Sequence, residues 1–333
     1  MQTTKRQALK ATMQATLLAT LLAPVFAWAE TKWDLASAYP ISNPHTVTLQ
    51  QFAKDLDSAT AGKLKVTVHP NGSLVKAPEI KRALTSGQIA SGEIIMSILE
   101  NENAIFGLDS VPFLATSFGQ AQRLWNAQRP EVEKLLDKQG IKLLYAVPWP
   151  PQGMFAKKPV NEVTDLKGLK WRAYNPTTQR IAKEYGAQPV TIQASELSAA
   201  LATGVVEAFM TSAATGVDSK VWESGVNRFY TVDAWLPKNM VLVSKAAFSQ
   251  LDPASQAAVL KTAKETEAKG WARMQGYTAD TIETLKKNKV EVAAPSTNFS
   301  QEMIRFGVSS LKDWLGKTGP EGQAIIDAYN GKK

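Results

Sequence analysis

Residues 165–212, DLKGLKWRAYNPTTQRIAKEYGAQPVTIQASELSAALATGVVEAFMTS, repeat in outline a pattern that occurs earlier in the chain. Residues 196–204 (ELSAALATG) keep the Glu, the Ala-Leu pair and the Gly of residues 79–87 (EIKRALTSG) at the same spacing. Each copy follows a strand-like run that begins with Leu-Lys, at residues 64–68 and 169–173, and each precedes a short run with several apolar residues. The repeat predicts an α/β protein with two similar lobes that face each other across a cleft.

The first 29 residues have the pattern of an export signal. Three cations lie among the first ten residues, a mostly apolar stretch follows, and Ala-Trp-Ala at residues 27–29 fits a cleavage site. The stretch is too short and too interrupted for a membrane span. We therefore predict cleavage after Ala29, localisation in the periplasm, and a mature protein that is not itself membrane-embedded.

Composition excludes several kinds of chemistry. The chain has no Cys, so disulfides, thiolate catalysis and zinc-thiolate sites are ruled out. It has 38 Lys and Arg against 30 Asp and Glu, without a basic stripe interleaved with aromatic residues, so we expect no nucleic-acid partner. Only two histidines occur, and we predict no metal site, no cofactor and no catalytic residues.

Patterns on either side of the repeat give the domain boundaries. A strand at residues 141–147 leads into Pro148-Trp-Pro-Pro151, a rigid crossing to the second lobe, and a strand at residues 240–244 returns to the first lobe. After a signal peptide over residues 1–29, we predict lobe I over residues 30–152 and about 240–280. Lobe II is predicted over residues 153–239 and about 281–333.

The segment that starts at residue 252, DPASQAAVLKTAKETEAKGWARMQGYTADTIETLKKN, predicts one very long helix. Asp252 fits the N-cap and Pro253 the first helical position. At 1.5 Å per residue such a helix spans roughly 50 Å, which is wider than most single lobes. We therefore expect it to lie across both lobes; no sustained heptad supports a coiled coil instead.

These motifs resemble the solute-binding proteins of tripartite ATP-independent periplasmic (TRAP) transporters, the dicarboxylate-receptor family. The resemblance rests on DLKGLKWR at residues 165–172, GAQPV at 186–190, the repeat at 196–204 and PNGSL at 70–74. It implies a two-lobed periplasmic-binding-protein fold with a long helix shared by both lobes. It further implies a non-enzymatic receptor that captures a small organic acid and delivers it to separate membrane permease subunits.

Arg172 is the leading candidate for ligand binding. In the family, the Arg at the matching position binds the substrate carboxylate. The chemistry supports this independently, because a guanidinium pairs bidentately with a carboxylate and stays charged when water is removed. The alternative is a surface arginine on an edge strand.

The weaker candidates each have a structural alternative. Trp149 and Trp235 could be ligand walls or ordinary core residues. Glu79 matches a family position that often faces the ligand, or it is an acid in the first turn of its helix. Asp218 could accept an N–H or O–H of the substrate, or it is a solvated helix acid. The remaining weaker candidates are polar residues next to strands or the lobe crossing: Gln152, Asn175, Thr211 and Ser212. Asn175 could instead begin the turn before Pro176, and relatives often carry Asn where this chain has Thr211.

Gln152 bears on the substrate. Several relatives that bind larger acids carry a second basic residue at this place, and a neutral Gln cannot neutralise a second carboxylate. We therefore favour a monocarboxylate, such as a 2-oxo, hydroxy, aromatic or pyroglutamate-like acid, unless Lys157 or Lys158 reaches inward.

Two other functions remain open. The binding protein of an ABC-type importer would share the lobes and the compartment. A penicillin-recognising serine enzyme is a remote alternative, because Ser73-Leu-Val-Lys76, Ser296-Thr-Asn298 and Lys317-Thr-Gly319 occur in the order of its three motifs.

Overall fold

In the computed structural model, which describes residues 30–332, helices cover two separate β-sheets. The predicted signal peptide lies outside the described residues. The strands are β1 (Thr31–Ala36), β2 (Leu64–His69), β3 (Ser91–Ile95), β4 (Ile141–Pro148), β5 (Gln152–Ala156), β6 (Lys170–Ala173), β7 (Gln188–Thr191), β8 (Ala208–Ser212), β9 (Arg228–Tyr230), β10 (Lys238–Ser244) and β11 (Glu291–Ala293). The α-helices are α1 (Pro44–Ala59), α2 (Ile80–Thr85), α3 (Phe118–Asp137), α4 (Pro176–Glu184), α5 (Leu197–Ala202), α6 (Ala213–Asp218), α7 (Lys245–Ser249), α8 (Pro253–Lys287) and α9 (Thr297–Tyr329).

The first sheet has the strand order β2–β1–β3–β10–β4. β1 pairs in parallel with β2 and β3, and β10 is antiparallel to both β3 and β4. Parallel neighbours need a crossover connection, and α1 supplies it between β1 and β2. This sheet and the helices packed on it are called lobe I.

The second sheet has the order β11–β9–β5–β8–β6–β7. β6 is parallel to β7 and β8, whereas β5 is antiparallel to β8 and β9. This sheet and the helices packed on it are called lobe II. The two-lobed α/β architecture predicted from the repeat is confirmed.

The two repeat copies fold alike at their centre. Each forms one 3₁₀ turn, Ala77–Glu79 or Ala194–Glu196, that continues into a short helix, α2 or α5. The repeated glycines, Gly87 and Gly204, both follow the helix with a positive φ, 72° and 70°, which only glycine adopts without strain. The copies differ upstream, because α4 and β7 lie between β6 and the second repeat helix.

Two chain segments connect the lobes side by side. One joins β4 to β5 and the other joins β9 to β10. Backbone hydrogen bonds link them, from Trp149 N to Pro237 O at 2.7 Å and from Gln152 N to Trp235 O at 2.9 Å. These hydrogen bonds therefore hold the two crossing segments together at one place between the sheets.

The long helix predicted from residue 252 is confirmed as α8. The Asp252 side chain accepts hydrogen bonds from the backbone N–H groups of the first turn, and Pro253 opens the helix. Its 35 residues span about 50 Å. Val259 packs in the lobe I core and Leu285 in the lobe II core, so α8 lies across both lobes as expected.

A second long helix, α9, also joins the lobes. Phe299 packs in the lobe II core, whereas Trp314 and Ile325 pack in the lobe I core. The helix is interrupted at Gly319, whose φ of 57° and ψ of −137° are not helical. The lobe boundaries predicted from the sequence assign all of α9 to lobe II. The boundaries at residues 152, 240 and 280 stay a prediction. Between residues 30 and 332, no helix is long and apolar enough to cross a membrane.

Candidate functional site

A small cavity of about 30 Å³ lies between the two sheets, next to the crossing segments. Its lining residues are Tyr39, Ile95, Trp149, Gln152, Arg172, Tyr174, Gln193, Ala194, Thr211, Thr215 and Pro237. Most of them stand at or just beyond the carboxyl ends of parallel strands, which is where open α/β sheets bind ligands. Wider grooves of about 970 and 520 Å³ occur elsewhere on the surface, lined largely by charged side chains that already form ion pairs, such as Arg129 with Glu133.

Arg172 lies on β6, which is flanked on both sides by β7 and β8, so it is not on an edge strand. The side chain is only 3% exposed. Its Nε donates to the carbonyl oxygen of Ile192 at 2.9 Å, and the guanidinium lies 5.0 Å from the ring centre of Tyr174.

The remaining guanidinium nitrogens are available for a ligand. Buried Nη1 has no hydrogen-bond acceptor within the described part of the chain, and no carboxylate there forms an ion pair with Arg172. Burial lowers the pKa of the guanidinium to about 10, so it is still charged at neutral pH. A buried cation with an unused donor on a cavity wall has the chemistry to bind an anion.

Tyr174 is fixed beneath Arg172 by a chain of hydrogen bonds. Its hydroxyl accepts from Trp235 Nε1 at 3.3 Å and donates to Gln152 Oε1 at 3.1 Å. Gln152 Nε2 in turn donates to the carbonyl oxygen of Pro150 at 2.9 Å. Gln152 thus lines the cavity with both ends of its amide occupied, and Trp235 lies behind the wall, fully buried.

The opposite wall, from lobe I, is aromatic. The rings of Tyr39 and Trp149 meet edge to face with their centres 4.9 Å apart. Both polar atoms turn away from the ligand space, because Tyr39 Oη and Trp149 Nε1 donate to the same atom, Asn239 Oδ1, at 3.2 and 2.9 Å. This shared acceptor holds the two rings rigidly, with apolar surface toward the cavity.

Two polar residues at the end of β8 have different roles. Thr211 lines the cavity, and its hydroxyl makes no hydrogen bond to any residue between 30 and 332. Ser212 does not line the cavity; its Oγ caps α6 by accepting from Thr215 N at 3.3 Å.

Three further candidates do not line this cavity. Asn175 caps α4, and its Nδ2 donates to Ser97 Oγ of lobe I at 2.9 Å, so it joins the lobes. Glu79 is exposed on lobe I and pairs with Arg82. Asp218 lines a neighbouring cavity rather than this one. Lys157, which could have reached inward, donates to the carbonyl oxygen of Leu201 instead.

The sequence reasoning missed several lining residues. Tyr39 follows β1, Tyr174 follows β6, Gln193 follows β7, and Ile95 ends β3. Each position could have been found by asking which side chains stand at the carboxyl ends of the predicted strands.

The three segments of the penicillin-recognising pattern have ordinary structural roles. Ser296 caps α9, Lys317 lies within that helix, and Ser73 stands in the turn after β2. No hydrogen bond or ion pair within the described range joins the three segments.

The profile of the bacterial extracellular solute-binding protein family 7 matches residues 35–313. The chain is similar to the Bordetella pertussis extracytoplasmic solute receptor DctP6, which binds pyroglutamic acid: identity is 49%, the match covers 91% of this chain and 100% of that one, and the TM-score is 0.89. It is also similar to a marine metagenome TRAP solute-binding protein specific for pyroglutamate, at 41% identity over 91% of this chain and 99% of that one, with a TM-score of 0.89. Among curated proteins, a solute-binding protein of Albidiferax ferrireducens is 26% identical over 80% of this chain and 76% of its own length.

Proposed function

The chain belongs to the bacterial extracellular solute-binding protein family 7 and is a TRAP solute receptor, and we propose that it captures a small monocarboxylate of the pyroglutamate type. The observation that carries this proposal is the unused, buried guanidinium of Arg172 at the cavity between the lobes. The ligand carboxylate takes the place of the acidic partner that this arginine lacks.

The shape and charge of the cavity favour one carboxylate on a compact, partly apolar body. Arg172 is the one cation among the described residues that line it. Tyr39 and Trp149 offer apolar ring surface, and the free hydroxyl of Thr211 can donate to or accept from a ring amide or carbonyl. The ligands of the two similar solved proteins, which are both pyroglutamate, have this combination of one carboxylate and one lactam group.

The remaining parts of the proposal follow from the family. The receptor has no catalytic activity, closes around the acid by a movement of the lobes about the crossing segments, and passes it to separate permease subunits. Its place is the periplasm, with residues 1–29 removed after Ala29.

Thermal unfolding of the ligand-stripped protein tests the proposal. The panel contains pyroglutamate, 2-oxo, hydroxy and aromatic acids and dicarboxylates, with sugars and amino acids as controls. A ligand at 100 times its dissociation constant adds about 2.7 kcal/mol of stability. We expect a raised midpoint for pyroglutamate or a closely related acid and none for the controls.

Variants locate the effect. Arg172→Ala should lose roughly 2–5 kcal/mol of binding free energy, because a desolvated carboxylate is left without its partner. The matched control is Arg82→Ala, since Arg82 is an exposed arginine outside the cavity. Full binding by a correctly folded Arg172→Ala protein, or no response of the wild type to any carboxylate, would contradict the proposal.

A further inference from the structure

A second cavity, of about 60 Å³, adjoins the ligand cavity between the lobes. Its lining residues are Tyr39, Pro40, Asn71, Trp149, Ala194, Ser195, Ser198, Thr215, Asp218 and Ser219. Four of them, Tyr39, Trp149, Ala194 and Thr215, also line the first cavity, so the same aromatic wall borders both. Arg172 lines only the first cavity. A ligand anchored there and longer than that cavity would extend past the shared wall into the second.

Asp218 determines the charge of this second cavity. It is the one ionisable acid or base among the described lining residues apart from the Tyr39 phenol. One carboxylate oxygen, Oδ2, accepts a hydrogen bond from Asn43 Nδ2 at 2.5 Å, which links lobe II to lobe I. The other oxygen, Oδ1, has no partner among residues 30–332, and no cation in that range forms an ion pair with it.

We propose that Asp218 is a specificity-determining residue that excludes a second carboxylate and favours a hydroxyl or N–H donor at the distal end of the ligand. The inference rests on the proposed function, because it requires that Arg172 hold the first carboxylate. A dicarboxylate would bring two like charges together in a partly desolvated space, whereas a distal amide or hydroxyl donates to the free Oδ1. The side chain therefore acts chiefly against the wrong ligands.

Pairs of ligands with the same shape and different distal charge test the proposal. Glutaramate and glutarate differ only in that the distal group is an amide or a carboxylate, and succinamate and succinate form a shorter pair. Dissociation constants are measured by competition against pyroglutamate. We expect the wild type to prefer each amide over its dicarboxylate, and Asp218→Asn to reduce that preference by at least about tenfold, because the repulsion between two like charges at close range is then removed.

Asn43→Ala separates selectivity from a merely structural role. This variant removes the hydrogen bond between the lobes and the N-cap that Asn43 Oδ1 provides to His45 N of α1, but it leaves the carboxylate, whereas the amide oxygen of Asp218→Asn can still accept the bond from Asn43. We expect Asn43→Ala to keep the amide preference. The inference would be overturned if Asp218→Asn kept the same preference for amides over dicarboxylates as the wild type. It would also be overturned if only Asn43→Ala lost that preference, or if neither ligand pair competed with pyroglutamate in the wild type or in Asp218→Asn. Pyroglutamate binding that depends on Arg172 would leave the proposed function intact in each of these cases.

Discussion

Replacing Arg172 by Met should stabilise the ligand-free protein while abolishing ligand binding. The arginine is buried at 3% exposure without an ion-pair partner among the described residues, so the ligand-free receptor holds a desolvated charge that only one carboxylate, Glu196, beyond ion-pair distance, helps to stabilise. Methionine has an unbranched, flexible side chain that can fill much of the same space without a charge. The substitution therefore removes the cost of burial together with the binding function.

The magnitude follows from the pKa and the contacts. Burial lowers the pKa of Arg172 to about 10, which corresponds to about 3 kcal/mol of destabilisation of the charged form. Methionine loses the hydrogen bond to Ile192 and the contact with the Tyr174 ring, which together contribute about 1–2 kcal/mol. The expected net gain is about 1–2 kcal/mol in the free energy of unfolding.

The sign with respect to pH is fixed by the direction of the pKa change. At pH 7 the guanidinium is protonated in the folded and the unfolded chain, so the destabilisation is fully present. It is relieved only as the pH rises through about 10, where the folded form loses its proton before the unfolded form does. The gain from Arg172→Met should therefore be constant across the neutral range.

Urea unfolding of the ligand-stripped wild type, Arg172→Met and the exposed control Arg82→Met measures the effect. Without ligand, Arg172→Met should have the highest midpoint and the control should lie within about 0.5 kcal/mol of the wild type. With pyroglutamate at 100 times its dissociation constant, the wild type should gain about 2.7 kcal/mol and Arg172→Met nothing. A ligand-free Arg172→Met protein that is less stable than the wild type by 1 kcal/mol would refute the reasoning that the charge is unpaired.

Three more outcomes are expected. Lys238 and Asp109 form a fully buried ion pair at 3.3 Å. Lys238→Met alone should destabilise the protein by about 3–5 kcal/mol, and the double variant with Asp109→Asn should be destabilised by less. Urea unfolding of both single variants and the double variant measures the coupling free energy between the two residues. Gly153→Ala should lower the thermal midpoint, because the added methyl would stand 2.4 Å from a ring carbon and 2.5 Å from a carbonyl oxygen of β9, whereas Gly119→Ala meets nothing within 4 Å and should not. Burial raises the pKa of Asp218 to about 6, so the folded chain binds a proton there more tightly than the unfolded chain. The stability of Asp218→Asn relative to the wild type should therefore rise as the pH goes from about 4 to 6 and then level off. A stability difference that does not change with pH would contradict this.

The parts of the fold that could be predicted have strong local signals. α8 begins with an N-cap and a proline and keeps its helical pattern without interruption, so the sequence alone defines it. Arg172 could be found because it occupies the arginine position of the family motif at residues 165–172, within a predicted strand beside the cleft. The repeat glycines could be found because a left-handed position after a helix requires them.

The parts that could not be predicted depend on pairings between distant segments. Asn239 orients Tyr39 and Trp149 only because β10 inserts between β3 and β4, which no local pattern encodes. The sequence offered Asn175 as a ligand contact, but its side chain is used to cap α4 and to join the lobes. Trp235 and Gln152 are both candidate ligand contacts from the sequence, and only the structure shows that both support Tyr174 while Gln152 alone of the two also lines the cavity.

Because β10 inserts between β3 and β4, the first sheet cannot form completely before a late part of the chain is available. If the chain emerges with its N-terminus first, the first sheet has a gap until β10 has appeared, up to residue 244. The core beneath that sheet stays open until Ile325 and Ile326 have also appeared. Contacts between such distant residues make folding slow. The first lobe therefore cannot reach its final packing until nearly all of the described chain is available to it.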